Sequence, residues 1–212
     1  MALTVNTNMA SVDAINQLSS STRKLSGSFE RVASGLRINK AADDAAGLGV
    51  AENLDAASRS ARQAMRNTND GISLLNTAEG ATGEVANILK RMRELAIQSA
   101  SDTLDADERQ YIQDEFTELV DEVSRISNVT EFNGVQLTNT NTTLSVQVGI
   151  NNTSNDRISI GMGDLRATVL GIDTGSVNLS TVTGAQSAIA IFDTALDSVN
   201  SYRSGYGSAQ HR

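Results

Sequence analysis

The sequence predicts a mainly α protein, a long antiparallel helical rod or coiled-coil bundle with one small β-hairpin. Three observations carry this: apolar residues recur at three- and four-residue steps over most of the chain, proline is absent, and strict alternation appears in only one stretch near residues 143–163. The expected division is 1–42, an N-terminal helical arm and elbow, and 43–212, a helical rod that includes the hairpin.

The arm comes first. Val5, Met9, Val12, Ile15, Leu18, Leu25, Phe29, Val32 and Leu36 form a seam interrupted at Thr22. Leu18, Leu25 and Val32 are seven apart, as are Phe29 and Leu36, the spacing of a coiled-coil strip. Such a seam points to assembly with other chains, and Leu18, Leu25, Phe29, Val32 and Leu36 are the candidate polymerisation residues. Gly35 offers a left-handed exit, and Asp43 and Asp44 are placed to cap the next helix. Gly47 and Gly49 are read as leaving room for a second backbone. The same spacing fits a helix–loop–helix inside an ordinary bundle.

The second helix is expected from about Asp44 to Ser99, a rod of roughly 80 Å. Its seam includes Leu54, Ala61, Met65, Thr68, Ile72, Leu75, Val85, Leu89 and Met92. Gly71, Gly80 and Gly83 mark either close approach of neighbouring rods or a break near residue 80. In the third helix Asp105 and Glu108 make a capping-box pair, Ile112, Phe116, Leu119, Val123 and Ile126 share a face, and Asp114, Glu118, Asp121 and Glu122 face water. Beyond EFNG, two alternating runs around NNTSND read as the hairpin, a polar Gly/Thr/Ser loop extends to about Val182, and Thr183 and Gln186 open a last helix carrying Ile189, Phe192, Leu196 and Val199.

Composition narrows function. The 212 residues include 25 acids and 17 bases, a net charge of −8, which argues against nucleic acid as the main ligand. The charge is uneven: 1–42 holds five bases and two acids, and 105–131 nine acids and two bases, an asymmetry that could help identical subunits find each other. No cysteine means no disulfide or thiolate chemistry, and the lone His211 cannot build a His-based triad or zinc site. No enzyme, cofactor or metal reading follows; Asp43–Asp44 are read as caps. No apolar run reaches the ~20 residues of a membrane helix, and the N-terminus lacks a signal-peptide pattern.

Four stretches, MALTVNTNMAS, LSGSFERVASGLRINKAADDAAGL, RMRELAIQSA and EFNGVQL, occur in an order that resembles bacterial flagellins over nearly the whole chain. The resemblance implies a structural subunit of the flagellar filament, with the arm in the inner tube and the rest a shell domain lacking large outer insertions. It implies an extracellular location, reached through the flagellar type III route without a cleaved signal peptide. The implied partners are further copies of the chain, the export apparatus and its chaperone, and the filament cap and hook-junction proteins, with no membrane insertion. Flagellins normally continue past the GSAQHR position, with Asn where His211 stands, into a second terminal helix; the expectation is a truncation that puts polymerisation by this stretch alone in question.

Lys90, Arg91 and Arg93 form a basic cluster expected to pair with acids of the third helix, and Leu95, offset from the Leu89–Met92 seam, is expected to be partly exposed. In flagellins recognised by Toll-like receptor 5, the matching segment supplies an Arg and a Leu of the receptor patch, with a Glu from the next helix. By resemblance these are Arg91, Leu95 and Glu115; the alternative is a solvated, ion-paired face. Two other classes stay open: a hook–filament junction protein, which shares the arm and elbow, and a coiled-coil adaptor, which accounts for the heptads alone.

Overall fold

A computed structural model describes residues 8–212. The chain divides into two compact units, Met1–Ser60 and Ala61–Arg212. Among the described residues the α-helices are α1 (Met9–Ser34), α2 (Ala45–Ser99), α3 (Ala106–Val129), the single-turn α4 (Ala167–Leu170) and α5 (Val182–Gln210). Two antiparallel strand pairs complete it: β1 (Glu131–Phe132) with β2 (Val135–Gln136), and β3 (Thr143–Gln147) with β4 (Arg157–Gly161).

In the first unit, α1 starts at Asn8, whose side chain accepts from the Ser11 amide at 3.3 Å, and ends at Gly35 in the left-handed conformation, φ 69°. None of its residues is buried. The two aspartates divide the work expected of them jointly. Asp44 caps α2, its Oδ1 accepting from the Gly47 amide at 2.8 Å. Asp43 instead accepts from the Asn39 and Lys40 amides, both at 3.3 Å, and so organises the elbow. Gly47 is small because of this elbow: a Cβ there would lie 2.9 Å from the tip of Ile38 and against the Asp44 carboxylate, rather than meeting a second backbone.

In the second unit, α2, α3 and α5 bury one another around Val85, Leu89, Met92, Leu95, Ile112, Phe116, Val123, Phe192 and Val199. Phe116 and Phe192 meet with ring centroids 5.9 Å apart. The predicted capping box of α3 forms in both directions, Glu108 amide to Asp105 carboxylate at 2.8 Å and Asp105 amide to Glu108 carboxylate at 3.1 Å. The central contact row of α3 runs through Val120 as well as Ile112, Phe116 and Val123, with Leu119 and Ile126 on its flanks.

Helix α2 is continuous through Gly80 and Gly83, where added methyl groups would meet open space. Gly71 is the glycine with a packing role: a Cβ there would approach both Val146 methyls to 3.3 Å, so the β3–β4 hairpin lies directly on the helix. The predicted hairpin is present, with Leu144 opposite Ile160 and Val146 opposite Ile158. It closes a second cluster with Leu75, Ala78, Leu137, Met162 and Tyr206. Burial pushes the Tyr206 phenol above its ordinary pKa, and its oxygen accepts from the Gly163 amide at 3.2 Å.

Two expectations need correction. The stretch after the hairpin is no merely polar loop, because Leu165, Ile172, Val177 and Leu179 are fully buried between the helices. Buried polar bonds fix it: Ser99 Oγ donates to the Leu179 carbonyl, and the Leu179 amide donates to Gln113 Oε1. The last helix is capped by Thr181 rather than Thr183, its hydroxyl accepting from Gly184. Its buried face is half alanine, through Ala185, Ala188 and Ala195.

Candidate functional site

Two surfaces carry the candidate residues, one in each unit. On α1 the seam predicted from heptad spacing is present as an unburied stripe. Leu18 is 69% exposed, Phe29 65% and Val32 80%, and Met9, Ile15, Leu25 and Leu36 are likewise open. Val5 lies outside the described residues. Soluble single chains rarely present a contiguous apolar stripe of this kind without a partner for it. The interruption at Thr22 has a local cause, since its hydroxyl donates to the Leu18 carbonyl at 2.9 Å.

At the foot of the stripe the elbow is held by polar bonds within the same unit. Asn39 donates through its side chain to the Glu30 carbonyl at 3.1 Å and to Ser34 Oγ at 2.7 Å. Lys40 pairs with Glu30 at 2.7 Å, which raises the lysine pKa. The Asp43 carboxyl is held below its ordinary range, first by the Asn39 amide and then by the Arg31 guanidinium at 3.3 Å. Charge and hydrogen bonding replace apolar burial here.

The second surface lies where α2 and α3 meet. Arg91 donates through both Nε and Nη2 to Glu115 Oε1, at 2.9 and 2.8 Å, and through Nη1 to Glu94 at 3.4 Å. Glu115 raises the already high pKa of the guanidinium. Arg91 and Glu115 are therefore brought together as expected, both half exposed.

Leu95 is not what its spacing suggested. It is 1% exposed and sits within the main core, because α2 is covered by α3 on one side and α5 on the other, so its buried face is too wide for the residue to escape. The rest of the basic cluster also divides. Arg93 reaches Asp193 on α5 at 2.6 Å rather than an acid of α3, and among the described residues Lys90 has no ion pair.

Sequence reasoning passed over Tyr111. It is 74% exposed and shares a shallow hollow with Arg91, Gln98 and Glu115. The signal was available, since Tyr111 precedes Ile112 and falls four residues before Glu115, on the polar side of α3. Among the described residues no three acidic, histidine or cysteine side chains group as a metal site, and no helix is long and apolar enough to cross a membrane.

Comparison with known proteins agrees on one family. A family model described as the bacterial flagellin N-terminal helical region matches residues 5–143. A flagellin of Salmonella paratyphi A is 44% identical over 84% of this chain, which spans 35% of that relative's length. A flagellin of Halalkalibacterium halodurans is 39% identical over 98% of this chain and 76% of its own. The crystal structure of Bacillus cereus flagellin superposes with a TM-score of 0.60 at 33% identity, covering 69% of this chain and 84% of that one.

Proposed function

The chain belongs to the bacterial flagellin family, and from that premise we propose that it is a structural subunit that self-assembles into the extracellular flagellar filament used for swimming. One observation supports this most directly: α1 presents a heptad-spaced stripe with none of its residues buried. Covering that stripe with sister copies removes apolar area from water at about 25 cal/mol per Å². Residues 1–42 serve as the inner-tube arm and 43–212 as the shell. The part played is mechanical: rows of subunits bury each other's stripes, and small repacking steps between bistable contacts give the tube different supercoils. Export by the flagellar type III route with its chaperone, and contact with the cap and hook-junction proteins, belong to the same reading.

Electron microscopy of the full-length protein mixed with sheared filament fragments tests it. Long tubes growing from the fragments are the expected outcome. Capped stubs would point to a junction protein, and no growth to a coiled-coil adaptor.

A second reading concerns the α2–α3 surface, which we propose as the Toll-like receptor 5 patch. The half-exposed Arg91–Glu115 pair supports it. Leu95 lies in the core beneath this surface, 1% exposed, and is not part of the contact. In a receptor-reporter assay, Arg91→Ala is expected to weaken signalling at least tenfold, on the order of a central interface arginine. Signalling unchanged by Arg91→Ala and Glu115→Ala together would remove the reading.

A further inference from the structure

Within the second unit, a cavity of about 300 Å³ lies between α2, the β3–β4 hairpin and the end of α5. Its apolar lining comes from Ile72 on α2 and from Val146, Val148 and Ile158 on the hairpin. None of these side chains is fully covered: the three hairpin residues are half-buried, and Ile72 is 40% exposed. The walls are tied to one another. Asn67 donates through Nδ2 to the Gln147 carbonyl at 3.1 Å, Gln210 through Nε2 to Asn76 Oδ1 at 3.0 Å, and Gly71 fits against Val146. The hollow is therefore preformed, and a preformed apolar hollow with few polar groups is the usual shape of a small-molecule site.

The charge at its edge sets what it would take. Arg212 is the one charged residue of the lining; it is exposed, and among the described residues it has no ion-pair partner. No acid lines the cavity. The end of α5 contributes a partial negative charge of roughly half a unit, which the full and permanent charge of a guanidinium in contact with an anion outweighs. We propose that the cavity binds a linear fatty carboxylate, its tail lying along Ile72, Val148 and Ile158 and its carboxylate paired with Arg212.

Size selects within that class. The volume stands at the low end of small-molecule sites, which suits one unbranched tail of about ten carbons and leaves no room for a sterol or a two-chain lipid. Each methylene that enters loses its own contact with water and covers the half-exposed lining, strengthening binding roughly fourfold until the cavity is full. The head group stays at the exposed arginine and keeps part of its hydration, so the ion pair adds affinity without the cost of a buried charge. A single chain supplies every lining residue, and the site does not depend on self-assembly.

Isothermal titration of the full-length monomer with decanoate, below the concentration at which the ligand forms micelles, tests the site. Saturable binding of one decanoate per chain is expected, at least tenfold tighter than decanol, which has the same tail and no charge. Across saturated carboxylates of about six to fourteen carbons, affinity should climb and then level off once the cavity is full. Arg212→Gln is expected to remove the preference for decanoate over decanol and leave decanol binding unchanged. Val148→Phe, which fills part of the cavity, should weaken both ligands at least tenfold, with helical content by circular dichroism as in wild type. No binding of decanoate, equal binding of decanoate and decyltrimethylammonium, or affinity that climbs with tail length without levelling off would each overturn the site. Binding untouched by both variants would also overturn it, by placing the ligand elsewhere, as on the open stripe of α1.

Discussion

The two units use the same apolar periodicity to opposite ends. In the second, Leu89, Met92, Phe116, Phe192 and Val199 are fully covered by neighbours from the same chain. In the first, Leu18, Leu25, Phe29 and Val32 have equally regular spacing and no cover, and the ordered contacts belong to the polar elbow. Periodicity therefore specifies a helix with an apolar face in both places. What decides the fate of that face is whether apolar chain returns to it: α3 and α5 return to α2, whereas among the described residues of the first unit only the polar elbow returns to α1, at its C-terminal end. Under the proposed self-assembly, sister copies supply the missing cover.

The sharpest way to break this contrast is to truncate one phenylalanine in each unit. Phe116→Ala is expected to destabilise the second unit by about 3–5 kcal/mol, seen as a large drop in urea midpoint, since the cavity would open beside Phe192. Phe29→Ala should leave that midpoint within about 0.5 kcal/mol and instead suppress growth on filament fragments. Equal stability losses would show that the arm is packed in the single chain.

Asp164 offers a smaller, pH-resolved probe of the second unit. Its nearly buried carboxylate accepts from Arg166 Nε at 2.9 Å and Nη2 at 2.5 Å, and these bonds hold its pKa below the ordinary aspartate value. A carboxyl lowered in the folded state contributes fully above its unfolded pKa and loses that contribution as pH falls through the folded one. Asp164→Asn should therefore cost about 1–2 kcal/mol near neutrality, with the gap to wild type closing as pH drops below about 4. A gap that widens on acidification would reverse the sign argued here. Asp43 in the elbow shifts in the same direction, so acid should loosen the elbow over a similar range.

A backbone probe is milder still. Gly134 sits at φ 77° beside Asn133 at φ 50°, the mirror-image turn that joins β1 to β2. Gly134→Ala is expected to cost about 1 kcal/mol, read as a small fall in melting temperature of the second unit alone. Smallest of all, Arg91→Ala should leave the melting temperature unmoved, because an exposed ion pair adds little to folding; a clear loss would mean that the Arg91–Glu115 link is structural.

Much of this architecture was legible in the chain. The elbow glycine, the α3 capping box, the extent of α2 and the presence of the long hairpin all follow from rules that act over a few residues. The errors share a different origin. Leu95 was misplaced because one helix covered on two sides buries more than its strongest seam, a fact about neighbours rather than spacing. The plug of Leu165, Ile172, Val177 and Leu179 was hidden because isolated apolar residues among glycine and threonine have no period to detect. The β1–β2 turn was readable from Asn133–Gly134 and went unused. In the candidate site, Arg91 and Glu115 were placed together by resemblance, whereas Tyr111, legible from its place four residues before Glu115 on the polar side of α3, is marked out by its exposure beside them.

Amide hydrogen exchange along α1, measured on the full-length protein first as monomer and then as filament, is the most direct test. The account predicts rapid exchange from Ile15 to Val32 in the monomer, where no packing supports the helix, and strong protection of the same amides in the filament. Strong protection of those amides in a solitary monomer would contradict it.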